Sequence, residues 1–146
     1  MKGKWIKVIL TGTLLLAAPG LAAAFTAANG TVTDERTGLV WQQQDDGQQR
    51  TWDAAISYCE GLIQPDNKSD WRLPNIKELE SIIDDSRYNP SIDTEVFTGA
   101  TASDYWSSTT YAGISSYAWF VNFSYGYINP YVNSNNCYVR CVRGGQ

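Results

Sequence analysis

The run Tyr105–Val139, YWSSTTYAGISSYAWFVNFSYGYINPYVNSNNCYV, carries no charged side chain and holds seven of the nine tyrosines of this 146-residue chain. From Ala118 to Phe123 it alternates. Trp119, Val121 and Phe123 fall on one side of an extended strand, and Phe120 and Asn122 fall on the other. Tyr105–Thr109 reads as a second strand, Gly126 breaks the hairpin that Tyr127-Ile128 continues, and Asn129–Asn136 reads as loop. Tyr138–Val142 closes the chain as a strand, with Val139 and Cys141 on one face.

Upstream the period changes. Thr31–Thr33 and Leu39–Trp41 flank the turn cluster Asp34–Gly38 and read as a hairpin, with Phe25–Gly30 as a lead-in and Gln42–Gln49 as a Gln- and Asp-rich loop. Thr51 opens a helix in which Trp52, Ala55, Ile56, Cys59 and Leu62 keep helical spacing, and Gly61 and Pro65 close it. After Asp70–Pro74, Asn75 and Glu78 stand at capping-box spacing before Ile76, Leu79, Ile82 and Ile83, which predicts a helix ending near Asp85 or Ser86. Arg87–Ala102, with Pro90, mixed polarity and no sustained period, reads as a long surface loop. Two helices followed by short strands predict an α+β domain, with Trp41, Trp52, Trp71, Trp106, Trp119 and Tyr105 inside and the first and last strands able to pair.

The ends and the composition bound the function. Lys2, Lys4 and Lys7 precede an apolar run from Val8 to Leu21 that ends in Ala22-Ala23-Ala24, which reads as a signal peptide over residues 1–24. The run is interrupted by Thr11, Gly12, Thr13, Pro19 and Gly20 and is short for a membrane span of about 20 apolar residues. Residues 25–146 then form one exported domain in the periplasm, on the cell surface or secreted, and not an integral membrane protein once processed. Loss of three lysines and no acids takes the formal charge from −4 to −7, which argues against a nucleic-acid partner. The chain has no histidine, so hydroxyl–imidazole catalysis and imidazole metal ligation are excluded, and neither a cofactor nor a metal site is expected. Gln64-Pro65-Asp66 lies between the helices without the partners of a calcium site and reads as a turn; Asp34 with Glu35, and Asp84 with Asp85, read as solvated pairs. Arg72, Arg140 and Arg143 read as structural, paired with buried acids or lying over tryptophan faces.

Three cysteines in an exported chain imply one disulfide and one thiol left over. A Cys137–Cys141 bridge within one strand is disfavoured, because residues four apart in an extended chain lie beyond disulfide reach. Cys137, inside the tyrosine-rich run, is taken as the odd one, and Cys59 with Cys141 as the pair.

Gly38-Leu39-Val40-Trp41, Thr51–Ala55 with Tyr58-Cys59, Asp70–Asn75 with Glu78-Leu79, Tyr105–Ser108, Ala118-Trp119 and Val139–Arg143 together resemble the C-terminal domain of the Legionella collagen-like adhesin, in order and over nearly the whole chain after the leader. The resemblance implies a C-type lectin-like fold of the formylglycine-generating type, with two helices, a small, mostly antiparallel twisted sheet and a Cys59–Cys141 disulfide. It also implies use in adhesion or recognition. Oxidase chemistry of the formylglycine-generating kind is set aside, since the spacing of Cys137 and Cys141 differs from that enzyme's pair, and no enzymatic activity is expected.

Thr110–Tyr138 is also similar to the variable regions of proteins diversified by retroelements, in which randomised AAY codons yield Tyr, Ser, Asn, Cys, Ile, Pro, Gly, Phe, Val and a few others but never Lys, Glu, Gln, Met or Trp. Tyr111, Ser115, Ser116, Tyr117, Phe120, Ser124, Tyr125, Tyr127, Asn129, Tyr131, Asn133, Asn135 and Asn136 obey that restriction and are the expected ligand contacts. Gly113, Ile114, Pro130, Ser134 and Cys137 obey it too, whereas Ala118, Trp119, Val121, Phe123, Gly126, Val139, Arg140 and Cys141 read as scaffold. Tyrosine gives a large, stiff contact with two torsions to freeze, and Ser, Gly and Asn give adaptable hydrogen bonds. The expected partner is a protein or a saccharide on a cell or phage surface. A fixed-specificity adhesin or an envelope-associated carbohydrate-binding domain is the competing reading.

Overall fold

The computed structural model describes residues 24–145; the expected leader, apart from Ala24, lies outside the described residues. Strands β1 (Phe25–Ala28), β2 (Thr31–Asp34) and β3 (Val40–Gln42) precede helices α1 (Trp52–Glu60) and α2 (Ile76–Glu80). Strands β4 (Asp104–Thr110), β5 (Tyr117–Asn122), β6 (Tyr127–Val132) and β7 (Val142–Arg143) follow. The architecture is the expected α+β one, with the strands divided between two antiparallel sheets, β1-β2-β3-β7 and β4-β5-β6.

The lead-in is a strand. Asn29 and Gly30 both have positive φ, 54° and 80°, as a two-residue hairpin turn between β1 and β2 requires, and Asn-Gly is the pair that takes this geometry most readily. The last strand pairs with β3, the second arm of the expected hairpin, through Val40↔Arg143 and Trp41↔Val142. It is shorter than Tyr138–Val142. The chain before it makes single bridges, Cys137 with Arg50 and Tyr138 with Tyr105, and so passes from one sheet to the other.

Both faces of β5 are buried, each against its own cluster. Tyr105, Val121 and Phe123 join Val32, Trp41, Leu79 and Val142, while Trp106, Ala118 and Phe120 join Cys59, Trp71, Leu73 and Val139. The alternation therefore sorts residues between two cores and not between core and water. Trp52 and Trp119, expected inside, are half-buried. Arg87–Ala102 has no regular element, yet it is not a surface loop, because Ile92 and Phe97 are core residues and the Ser91 hydroxyl donates to the Phe123 carbonyl at 3.0 Å. Helix α2 stops at Glu80, short of the expected Asp85, since the chain turns at Asp84, whose carboxylate accepts from the Ser86 N–H at 2.9 Å and the Arg87 Nε–H at 2.9 Å. Asp34, expected in water, is buried and accepts from the Arg36 N–H at 2.9 Å.

Residues 70–78 stitch the two sheets. The Arg72 backbone exchanges two 2.9 Å hydrogen bonds with Val142, and the Pro74 carbonyl accepts from the Ser108 N–H at 2.7 Å. Asn75 and Glu78 form the expected capping box, and Arg72 grips Glu78 with two nitrogens at 2.7 Å each. Burial opposes ionisation of Glu78, but the Arg72 guanidinium and the Asn75 N–H hold its carboxyl below the ordinary value.

Cys59 in α1 and Cys141 beside β7 form the disulfide, with Cα atoms 5.5 Å apart across 82 residues. Closing so long a loop contributes about 4–5 kcal/mol on the chain-entropy model. Cys137 is free and buried. The fully buried Arg140 donates to the Gln42 and Gln43 carbonyls at 2.8 and 2.7 Å and to Asp45 at 2.9 Å, and Asp45 also accepts from the Tyr105 hydroxyl at 2.8 Å.

Replacing Asp45 with Ala leaves the Arg140 charge buried without its partner, and urea unfolding is expected to show a loss of about 3–5 kcal/mol; a loss within about 0.5 kcal/mol, the scale of a surface change, would refute the role given to the pair. Burial, with the Asp45 charge second, pushes Tyr105 up to about 12, and burial, with Asp104 second, pushes Cys137 up to about 12. Both folded values lie above the unfolded ones of about 10 and about 8.5. The unfolded chain therefore releases these protons first, and the stability they contribute is whole below the unfolded values and lost as pH rises towards about 12. Stability measured across that range is expected to fall less steeply in Tyr105→Phe, and an unchanged slope would count against the assignment.

Candidate functional site

Strand β6 is the outer strand of its sheet, and its residues alternate in exposure along the whole length. Tyr127, Asn129 and Tyr131 point outward, with Ile128, Pro130 and Val132 on the opposite side. The first half of the expected loop Asn129–Asn136 is thus strand, and the second half is loop. Pro130 fits there because an edge strand can do without one N–H.

Register places Phe120 opposite Asn129 and Ala118 opposite Tyr131, so these side chains share the face of Tyr127 and Tyr131. Phe120 is 5% exposed and forms the floor. Tyr127 meets it edge-on with centroids 6.4 Å apart, Tyr131 leans on it at 5.5 Å, and Tyr131 also lies 6.2 Å from the buried Trp106. Trp106 is fixed in turn by its Nε1–H, which donates to the Arg50 carbonyl at 2.8 Å. Tyr127 and Tyr131 remain 46% and 39% exposed, and Tyr125, in the turn before β6, is 76% exposed. The result is two rings on an aromatic floor with the exposed Asn129 between them, and no charged residue within β5, β6 or the turn joining them.

The other expected contacts are scattered. Phe120 is a support and not a contact, because it is buried. Tyr111 is half-buried, 5.5 Å from Trp119, and Tyr117 pairs with Val132; both belong to the opposite side of the sheet from Phe120. The Ser124 hydroxyl is occupied by the Ala102 carbonyl at 2.9 Å. Ser115 and Ser116 are exposed in the β4–β5 loop, and the half-buried Asn133 is tied there by its N–H to the Ser116 carbonyl at 2.8 Å. Asn135 is half-buried and Asn136 exposed in the loop after β6.

Residues outside the expected set also belong to the surface. Tyr88, 79% exposed, stands beside the Tyr125 turn because the next residue, Asn89, donates its N–H to the Ser124 carbonyl at 2.7 Å. An aromatic residue inside the polar run Arg87-Tyr88-Asn89 is a weak signal, and nothing in the spacing ties it to residue 124. Ile114 and Ser134 are exposed as well.

Fold and face together define a disulfide-pinned α+β domain that presents a neutral aromatic strand. The model of the Lcl C-terminal domain family matches residues 30–143, and the chain belongs to that family. Membership is consistent with an adhesion-type module and an extracellular place of work. No curated protein matches the chain. Among the described residues no helix is long and apolar enough to cross a membrane.

Truncating the floor and truncating the rim have different costs. Phe120→Ala is expected to lose about 3–5 kcal/mol, whereas Tyr125→Ala stays within about 0.5 kcal/mol. Equal effects in urea unfolding would mean that floor and rim are wrongly assigned.

Proposed function

We propose that this chain is an exported recognition module without enzymatic activity, whose ligand docks on Tyr127, Asn129 and Tyr131, with Tyr125 and Tyr88 extending the contact. The observation that carries the reading is the exposure of two tyrosines on a floor that is itself buried. Rings already held by Phe120 and Trp106 lose little freedom on binding, so their apolar faces and hydroxyls are available at low entropic cost. A surface of this kind suits a protein epitope or a saccharide on a cell or phage surface, and its lack of charge disfavours nucleic acid. Signal-peptide cleavage before Phe25 would deliver the domain to the periplasm, the cell surface or the medium.

We further propose that the outward positions of the 111–137 tract are diversified by a retroelement, which the alternation of β6 supports, since each second side chain there can change without touching a core. Burial of Phe120 and Cys137 favours the competing fixed-specificity reading at those two positions, because free substitution there would open or overfill a packed core.

Probed on combined glycan and protein arrays, the purified domain is expected to capture a ligand, and Tyr127→Ala with Tyr131→Ala to weaken capture by at least about tenfold, as loss of interface hot spots does. Capture that survives both changes would refute the face. For diversification, the neighbouring DNA should hold a near-copy of the last third of the coding sequence with adenines at the variable codons, beside a reverse transcriptase; absence of both leaves the fixed adhesin.

A further inference from the structure

The Gln42–Gln49 loop forms one wall of a cleft of about 380 Å³, built entirely outside the 111–137 tract. Gln43 and Gln44 face Tyr58, Leu62, Gln64 and Pro65 across it. The volume lies at the lower end of the range for small-molecule sites. The wall is held from behind, since Arg140 draws the Gln42 and Gln43 carbonyls inward at 2.8 and 2.7 Å and the Gln42 side chain accepts from the Cys141 N–H at 2.7 Å. The far wall stands close. Gly30, at φ 80°, also lines the cleft, and a Cβ added to it would lie 2.8 Å from the Pro65 Cβ.

The charges at the cleft are already matched. Asp45 is bound by Arg140, Asp46 is gripped by Arg50 at 3.0 Å, and the neighbouring Asp66 is held by Arg143 at 2.9 Å. Arg50 also lies 3.8 Å over one face of the Tyr58 ring. No free charge is left to select an ion. What remains are carboxamides, each offering donors beside an acceptor, and the apolar surfaces of Leu62, Pro65 and the Tyr58 ring. Adjacent hydroxyls on a ring present the complementary donor–acceptor pairs, and the carbon skeleton of that ring suits the apolar part.

We propose that this cleft binds a neutral, polyhydroxylated ring, one or two units of a saccharide, at a site separate from the Tyr127–Tyr131 face. The inference does not rest on that face. Because its walls come from the scaffold, every version of the 111–137 tract would keep it.

The test is an NMR titration of nitrogen-labelled protein with maltose, cellobiose, lactose and N,N′-diacetylchitobiose, each at millimolar concentration. The side-chain amide signals of Gln43, Gln44 and Gln64 are expected to shift saturably with at least one of the four. Gln44→Ala with Gln64→Ala, both exposed, should weaken that binding by at least about tenfold, a change of about 1.4 kcal/mol, with the thermal midpoint unchanged, and Tyr127→Ala should leave it as it was. No shift with any of the four sugars overturns the proposal, as does full affinity in the double glutamine variant. Shifts confined to Tyr127–Tyr131 overturn it too, while supporting the strand face as the place of recognition.

Discussion

A buried guanidinium holds this domain together. Arg140 lies between the two sheets and binds backbone at the end of β3, the Asp45 carboxylate in the following loop, and through Asp45 the Tyr105 hydroxyl of β4. The Tyr105 oxygen accepts in turn from the Thr101 N–H at 2.9 Å, so the network reaches the end of the long loop as well. Removing a charge from water costs several kcal/mol, offset here by three hydrogen bonds from the terminal nitrogens, while the buried Arg140 Nε–H has no partner among the described residues. Here one side chain satisfies carbonyls that no sheet ladder could reach. It also anchors the segment by which the chain passes from β6 to β7.

The disulfide, the Arg72–Glu78 clamp and the Arg140 network all act on the same crossing. Cys141 follows Arg140 directly, and Arg72 pairs with Val142 one residue later. With three consecutive residues tied to α1, to β3 and to the segment before α2, β4 and β5 are covered on both faces and β6 is left as the free margin of its sheet. Strand β6 thus keeps Tyr127, Asn129 and Tyr131 facing outward at the margin of its sheet. Its inner neighbours are committed. That division follows from topology, since a strand at the margin loses packing on one side without loosening the rest.

Much of this is legible in the residues and some of it is not. Helix α1, the capping box at Asn75 and the strands expected from Tyr105 and Ala118 follow from period and cap chemistry, which are local, whereas the Cys59–Cys141 pair, 82 residues apart, follows from setting Cys137 aside and from the family resemblance. Strand β1 was hidden because Phe-Thr-Ala-Ala is weakly β-prone and draws its ladder from β2, although the Asn29-Gly30 turn marks it. Phe120 misleads for another reason. Alternation reports two faces but not what covers each, and α1 with the Cys59 cluster covers the face that a single-sided sheet would leave wet. Ile92 and Phe97 lack any period, so their burial depends wholly on distant partners. Tyr131 is legible as a strand residue only once Pro130 is accepted at an edge.

The floor beneath the tyrosines makes their variation interdependent. Tyr127 and Tyr131 touch the same Phe120 ring from two sides, so exchange of Phe120 for a smaller residue would let both rings settle and would change the face without adding or removing any outward group. Effects of substitutions at the three positions should therefore not add, unlike those of Tyr125, which has no ring contact among the described residues. A surface diversified only at outward positions would vary its contacts one at a time. Inclusion of a floor residue in the same set would also vary the angle at which its neighbours are held. Sequence change at a buried site can in this way alter the arrangement of an outward face to which it adds no group.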